Sequence, residues 1–256
     1  MGVPRGLSPQ YHPKSATMVG RNNVDWRHAM HTMSRRSFLG LAGLASLSLA
    51  ACGSGGGETE AASVEAEADA TVADAGKIED GVLVTPYDEG YSTGKHHATI
   101  EVKDFGTIEV ELNASNAPIT VSNFAHLVNE KFYDGLTFHR IIKDFMVQGG
   151  DPNGDGTGGS DVQIKGEFSS NGVVNAIQHK RGVISMARSG DPNSGSSQFF
   201  IMHKDTSSLD GEYAAFGKVT KGMDVVDKLA EVPVEDGNGT VKSENQPVIS
   251  SIVMVD

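Results

Sequence analysis

Several places in this chain hold side chains whose types and spacing could do chemistry. Phe138-His139-Arg140 sets an always-charged guanidinium beside an imidazole, a pairing that invites a general-base role for His139. Asp151-Pro152-Asn153-Gly154-Asp155-Gly156 imitates the opening of a calcium-binding EF-hand loop. That loop needs a bidentate Glu at its twelfth position, where Val162 stands, and no helix flanks it. The same glycines do not make a phosphate loop, because no Gly-Lys-Ser/Thr follows. Ser185, Ser189 and Asp191 lie near histidines, but the G-x-S-x-G elbow of a serine hydrolase is missing. His96-His97 is too sparse for a metal site, so neither a metal nor a cofactor is expected. Taken alone, Arg140 reads as an ordinary surface pair-former, and Phe145, Met146 and Phe200 read as ordinary core.

The elements that must position these residues can be read from hydrophobic period. Ala98–Val102 and Thr107–Leu112 alternate apolar and polar around Asp104-Phe105-Gly106, which predicts an antiparallel hairpin. Ala117-Pro118 opens a helix that places Val121, Phe124, Leu127 and Val128 on one face. Short apolar strands are expected at Ile141–Gln148, Gly182–Met186, Gln198–Met202, Phe216–Val219 and Val248–Val255, with a second helix over Met223–Ala230. Thirty-one glycines and 6% aromatics fit a loop-rich protein with one modest core. Many short strands with two isolated helices point to a mainly β protein, a closed barrel capped by the helices.

Three blocks make the reading specific. The first is Phe138-His139-Arg140-Ile141-Ile142-Lys143-Asp144-Phe145-Met146-Val147-Gln148-Gly149-Gly150-Asp151. The second is Gly182-Val183-Ile184-Ser185-Met186-Ala187 followed by Ser194-Gly195-Ser196-Ser197-Gln198-Phe199-Phe200-Ile201, and the third runs from Leu209-Asp210-Gly211 to Gly217-Lys218-Val219. Their order and spacing resemble the cyclophilins, peptidyl-prolyl cis-trans isomerases. The resemblance implies an eight-stranded antiparallel closed β-barrel capped by two α-helices, with the active groove on its outer face, and a monomer. It makes Arg140 the donor to the prolyl nitrogen, and makes Gln148 its partner and a contact for the substrate backbone. Phe145, Met146, Phe200 and Leu209 would form the socket for the proline ring. Ala187, Arg188, Gln198 and Tyr213 would bind the rest of an extended proline-containing polypeptide. Phe145 and Met146 are adjacent, so a regular strand would point them to opposite faces, and sharing one groove demands a local bend. The implied reaction abstracts no proton, which leaves His139 a structural role. Ser208 stands where many eukaryotic members carry a groove tryptophan, which implies weak binding of cyclosporin. Tyr213 and Arg188-Ser189 are further departures, and none removes Arg140 or Gln148. A proline-peptide-binding chaperone of the same fold is the alternative reading.

The front of the chain reads as an address. Ser34-Arg35-Arg36-Ser37-Phe38-Leu39 places twin arginines before an uncharged run from Phe38 to Ala51, shorter than the roughly 18–20 residues that span a bilayer. The run ends in Leu49-Ala50-Ala51-Cys52, which looks like a bacterial lipobox on a twin-arginine export signal. Cys52 is the only cysteine, so an intramolecular disulfide is ruled out and acylation is expected. Residues 1–51 are therefore read as a targeting region, 52–94 as a Gly/Ala/acidic tether and 95–256 as the isomerase domain. A lipid anchor on the extracytoplasmic face of a membrane is expected. The formal charge is −12, and six of the 21 basic side chains lie in residues 1–51 with one of the 33 acidic ones. The remaining 15 basic and 32 acidic groups exclude a nucleic-acid binder.

Overall fold

The computed structural model describes residues 75–256. The targeting region, Cys52 and residues 52–74 of the expected tether lie outside them. Residues 75–94, which composition assigns to the tether, form part of the packed body. Two short strands, β1 (Ile78–Glu79) and β2 (Val82–Leu83), pair antiparallel there. Leu83 is fully buried, and Tyr87 and Tyr91 lie against the same core.

The predicted hairpin forms as β3 (Lys95–Val102) and β4 (Gly106–Asn113), in register from Lys95 opposite Asn113 to Val102 opposite Gly106. Its turn needs backbone at positive φ, which Asp104 (φ 65) and Gly106 (φ 122) supply. Helix α1 (Pro118–Asn129) follows, with Pro118 in its first turn where a missing N–H costs nothing. All four residues of its expected apolar face are buried. Ala117 offers no side-chain cap. The buried carboxylate of Glu167 does this from a distance, accepting from Ile119 N, Thr120 N and Thr120 Oγ1 at 3.0, 2.8 and 2.6 Å.

The single strand expected over Ile141–Gln148 is instead a hairpin. β5 (Thr137–Ile142) turns at Lys143-Asp144-Phe145 into β6 (Met146–Asp151), and Asp144 takes the left-handed conformation (φ 62). Beyond the two-residue β7 (Gln163–Ile164) come β8 (Val183–Met186), β9 (Phe199–Met202) and β10 (Ala215–Lys221). Helix α2 (Met223–Leu229) and strand β11 (Ile249–Met254) complete the described chain. β2 and β7 pair in parallel, so the entry hairpin becomes a small three-stranded sheet.

The other eight strands form one sheet in the order β11-β3-β4-β10-β8-β9-β6-β5. The closed barrel expected from the sequence is corrected here: this sheet is a curled half-barrel with β11 and β5 as its edges. The edges meet at a bridge between Thr137 and Val248, flanked by Phe138 N donating to Pro247 O, Ile249 N to Leu136 O and Gly135 N to Ile249 O. A continuing ladder is blocked because Pro247 has no N–H. Register shifts between Thr137 and Arg140 also turn β5 away. Its outer edge is met beyond that point by the loop at Gly239–Val241, through Ile141 N to Gly239 O and Val241 N to His139 O.

Two apolar clusters result. The large one fills the curl of the sheet under both helices, with Phe124, Tyr133, Phe138, Phe199 and Phe216 at its centre. The small one, Met146, Val183, Phe200, Met202 and Ala215, lies on the outer face.

Candidate active site

The bulge in β5 decides where Arg140 points. Strict alternation would put Phe138 and Arg140 on one face. Phe138 pairs with Gly149 and Arg140 with Gln148, however, so His139 is an extra residue opposite no partner. Phe138 and Ile141 can then both enter the core, while Arg140 faces out and lies half-buried. Across the sheet, Gln148 sits opposite Arg140 and Phe200 opposite Gln148. Arg140, Gln148 and Phe200 are thus one cross-strand row on the outer face of β5, β6 and β9.

A groove of about 460 Å³ opens over this row. Nine residues expected from the sequence line it: Arg140, Phe145, Met146, Gln148, Ala187, Arg188, Phe200, Leu209 and Tyr213. The bend required between Phe145 and Met146 is the β5–β6 turn: Phe145 belongs to the turn, its N–H donating to Ile142 O, and Met146 opens the next strand. Leu209 ends a 3-10 turn at Ser207–Leu209, and Phe145 and Leu209 flank the outer cluster at whose centre Met146 and Phe200 are buried. The tenth expected residue, Gln198, lines an adjoining polar cleft that also takes in Thr157, Ser160 and Ser194.

Polar contacts order the groove wall. Arg140 Nη1 donates to Gln148 Oε1 at 3.1 Å, Gln148 Nε2 to Gln198 Oε1 at 2.9 Å, and Gln198 Nε2 to Gly158 O at 2.7 Å. This relay orients the Gln148 amide, because its oxygen must face the guanidinium. The Arg188 side chain stacks over the rings of Phe168 and Tyr213, at 5.1 and 4.7 Å from their centroids, and Nε donates to Glu212 O. Tyr213 meets Phe200 edge-on at 5.8 Å.

Burial lowers the pKa of Arg140, and Tyr213 and Asp236 oppose that shift. A guanidinium keeps its charge against such an environment. His139 also lines the groove, is 3% exposed, and neither ring nitrogen has a protein partner. Burial and the neighbouring Arg140 hold its pKa down against Asp151, so the ring is neutral. The Asp151 loop that imitates a calcium site is closed on itself: the Asp151 carboxylate accepts from the backbone N–H groups of Asn153, Asp155 and Gly156.

Sequence reading missed the groove's other wall. Gly154, Asp155 and Gly156 come from the Asp151 loop, and Asn238 and Thr240 from the segment before β11. The run Asp236-Gly237-Asn238-Gly239 signals a turn, but nothing in it points to a partner 98 residues earlier.

Residues 97–254 match the family model described as cyclophilin type peptidyl-prolyl cis-trans isomerase/CLD. The chain belongs to the cyclophilin family. This cyclophilin is 46% identical over 140 residues to peptidyl-prolyl cis-trans isomerase B of Bacillus subtilis, covering 52% of its own chain and 94% of that protein. It is 47% identical over 137 residues to the peptidyl-prolyl cis-trans isomerase of Helicobacter pylori, with 53% and 80% coverage. Among solved structures, it is similar to the crystal structure of a cyclophilin type peptidyl-prolyl cis-trans isomerase of Cryptosporidium parvum. The TM-score there is 0.57 at 30% identity, covering 64% of this chain and 99% of that one. A crystal structure of the same protein in the presence of the dipeptide Ala-Pro gives a TM-score of 0.56. Peptidyl-prolyl cis-trans isomerase activity follows for this cyclophilin from its family and its bacterial relatives.

Proposed function

We propose that this cyclophilin isomerises X-Pro bonds in the groove over β5, β6 and β9, and that it does so on exported polypeptides while anchored to a membrane through Cys52. The observation that carries the site is the row in which the Arg140 guanidinium, held by Gln148, stands beside the apolar floor of Met146 and Phe200.

Rotation about X–Pro meets a barrier of roughly 18–20 kcal/mol, because amide resonance must be broken. No bond is made or cut and no proton moves. In the twisted state the prolyl nitrogen regains its lone pair, which the planar amide does not offer. A donor aimed at that nitrogen therefore stabilises the twisted state more than the ground state. Arg140 is that donor. Phe145, Met146, Phe200 and Leu209 hold the proline ring and exclude water, which strengthens the guanidinium's effect. The backbone at Ala187 and Arg188 receives the extended residues before the proline, with Gln198 and Tyr213 bounding their path. The Ala-Pro dipeptide present with the Cryptosporidium parvum relative supports this class of ligand.

Titrating a proline tetrapeptide into the full chain tests the groove. The methyl resonances of Met146 and Leu209 are expected to shift with the peptide, and those of the distant Val253 to stay. Unmoved Met146 and Leu209 resonances in an active protein contradict this placement.

The export reading rests on the twin arginines at Arg35-Arg36, the apolar run to Ala51 and the lone cysteine that ends it. Cys52→Ser is expected to move the protein from the membrane to the soluble fraction. A variant that stays membrane-bound contradicts the anchor.

A further inference from the structure

Arg140 has five N–H donors, and three are spent on the protein. Only one goes to Gln148. The other two go to a single residue, Asn238: Nε donates to its backbone oxygen at 2.9 Å and Nη2 to its side-chain Oδ1 at 3.3 Å. Asn238 thus grips the Nε–Nη2 side of the guanidinium, while Gln148 holds Nη1. A guanidinium pinned at two places cannot turn about its own plane, and two of its N–H groups remain unspent on the protein, on a residue that lines the groove.

The loop that carries Asn238 is built to keep it there. The Asp236 carboxylate accepts from Asn238 N, Thr240 N and Thr240 Oγ1, at 3.0, 3.1 and 3.0 Å. Gly239 N donates to Asp236 O, and Glu235 N donates to Thr240 O. This closed turn docks along β5 with Thr240 opposite Arg140. Gly239 makes the approach possible. It sits at φ +85, and a Cβ there would fall 2.3 Å from Ile141 O. Those contacts seat the turn in register with Arg140, the donor proposed for the reaction.

We infer that Asn238 is a positioning residue for the isomerase reaction, holding the Arg140 guanidinium in the orientation that serves the twisted prolyl nitrogen. This rests on the proposed role of Arg140, and the test separates the two. The effect of Asn238 must appear in turnover, because peptide binding relies on the apolar socket and the twisted state on the cation.

The experiment is a double-mutant cycle on the full chain, read by protease-coupled isomerisation of a proline tetrapeptide, with circular dichroism of each variant. Asn238→Ala is expected to lower kcat about tenfold, the loss of one charge-assisted hydrogen bond, and to leave KM within about twofold. In an Arg140→Ala background the same substitution is expected to cost nothing further. Asp236→Asn retains one carboxamide oxygen for the turn but weakens it, and is expected to lower kcat by less than Asn238→Ala. An Asn238→Ala protein that keeps its kcat, or that loses activity equally in both backgrounds, overturns the inference while leaving Arg140 in place. Should Asn238→Ala misfold, the same cycle run with Asp236→Asn decides the matter. If Arg140→Ala itself retains full activity, the role of Arg140 fails instead.

Discussion

The role proposed for Arg140 requires several of its neighbours to agree on one geometry. Its guanidinium is held by Gln148 on the next strand and by Asn238 on a loop far along the chain, with the Gln148 amide itself fixed by Gln198. A lysine would keep the charge but lacks a planar fork to span both partners and still face the groove. Arg140→Lys is therefore expected to lower kcat at least about tenfold with the fold intact. A variant that keeps more than half the wild-type kcat in a protease-coupled assay would show that charge alone suffices. At this scale the sequence was highly legible where motif residues are close together. Arg140, Phe145, Met146 and Gln148 span only nine positions, and all four line the groove. Asn238 was invisible because its only qualification is a contact made by the fold.

The elements explain why neighbouring residues end in different places. A one-residue bulge at His139 and a left-handed Asp144 send Phe138 to the core, Arg140 to the groove and Phe145 back over Met146. Hydrophobic period found the β3–β4 hairpin and α1, whose patterns are long and regular. It joined β5 and β6 into one strand because their turn holds no glycine or proline, and Asp144 adopts positive φ unannounced. The α1 cap was equally hidden, since its acceptor lies 48 residues beyond Ile119. Glu167→Ala strips three buried donors of their acceptor, so the domain is expected to lose about 2–4 kcal/mol of stability in urea unfolding. Below the transition region its isomerase activity should be unchanged. A loss under about 0.5 kcal/mol would mean that water or a shifted side chain replaces the carboxylate.

At the scale of the whole molecule, the packed body begins at least as early as residue 75, ahead of the boundary read from composition. The acidic, glycine-rich stretch around it hides Tyr87 and Tyr91, whose partners lie in the distant core. The closed barrel was likewise an overstatement, since no strand pattern announces that Pro247 interrupts the seam between β11 and β5. One buried network makes the stability of the body depend on pH. The His179 ring is fully enclosed, its Nδ1 3.0 Å from Asp210 Oδ1 and its Nε2 3.0 Å from Ser185 Oγ. Burial lowers its pKa, against the pull of Asp210. Folding thus favours the neutral ring, a contribution present above the unfolded value of about 6.5 and lost as pH falls from there toward the folded-state pKa. The stability gap between wild type and His179→Asn is expected to narrow between about pH 8 and pH 5. A gap that stays constant over that range would remove His179 from the acid response.

These scales meet in one claim, that a fixed guanidinium in an apolar groove speeds rotation about a prolyl bond. The most direct test is protease-coupled isomerisation of a proline tetrapeptide by the full chain and by Arg140→Ala, with matched circular dichroism. Acceleration above the thermal rate is expected for the wild type, and a kcat/KM lower by about a hundredfold in the variant. A well-folded Arg140→Ala protein that isomerises as fast as the wild type would contradict that claim.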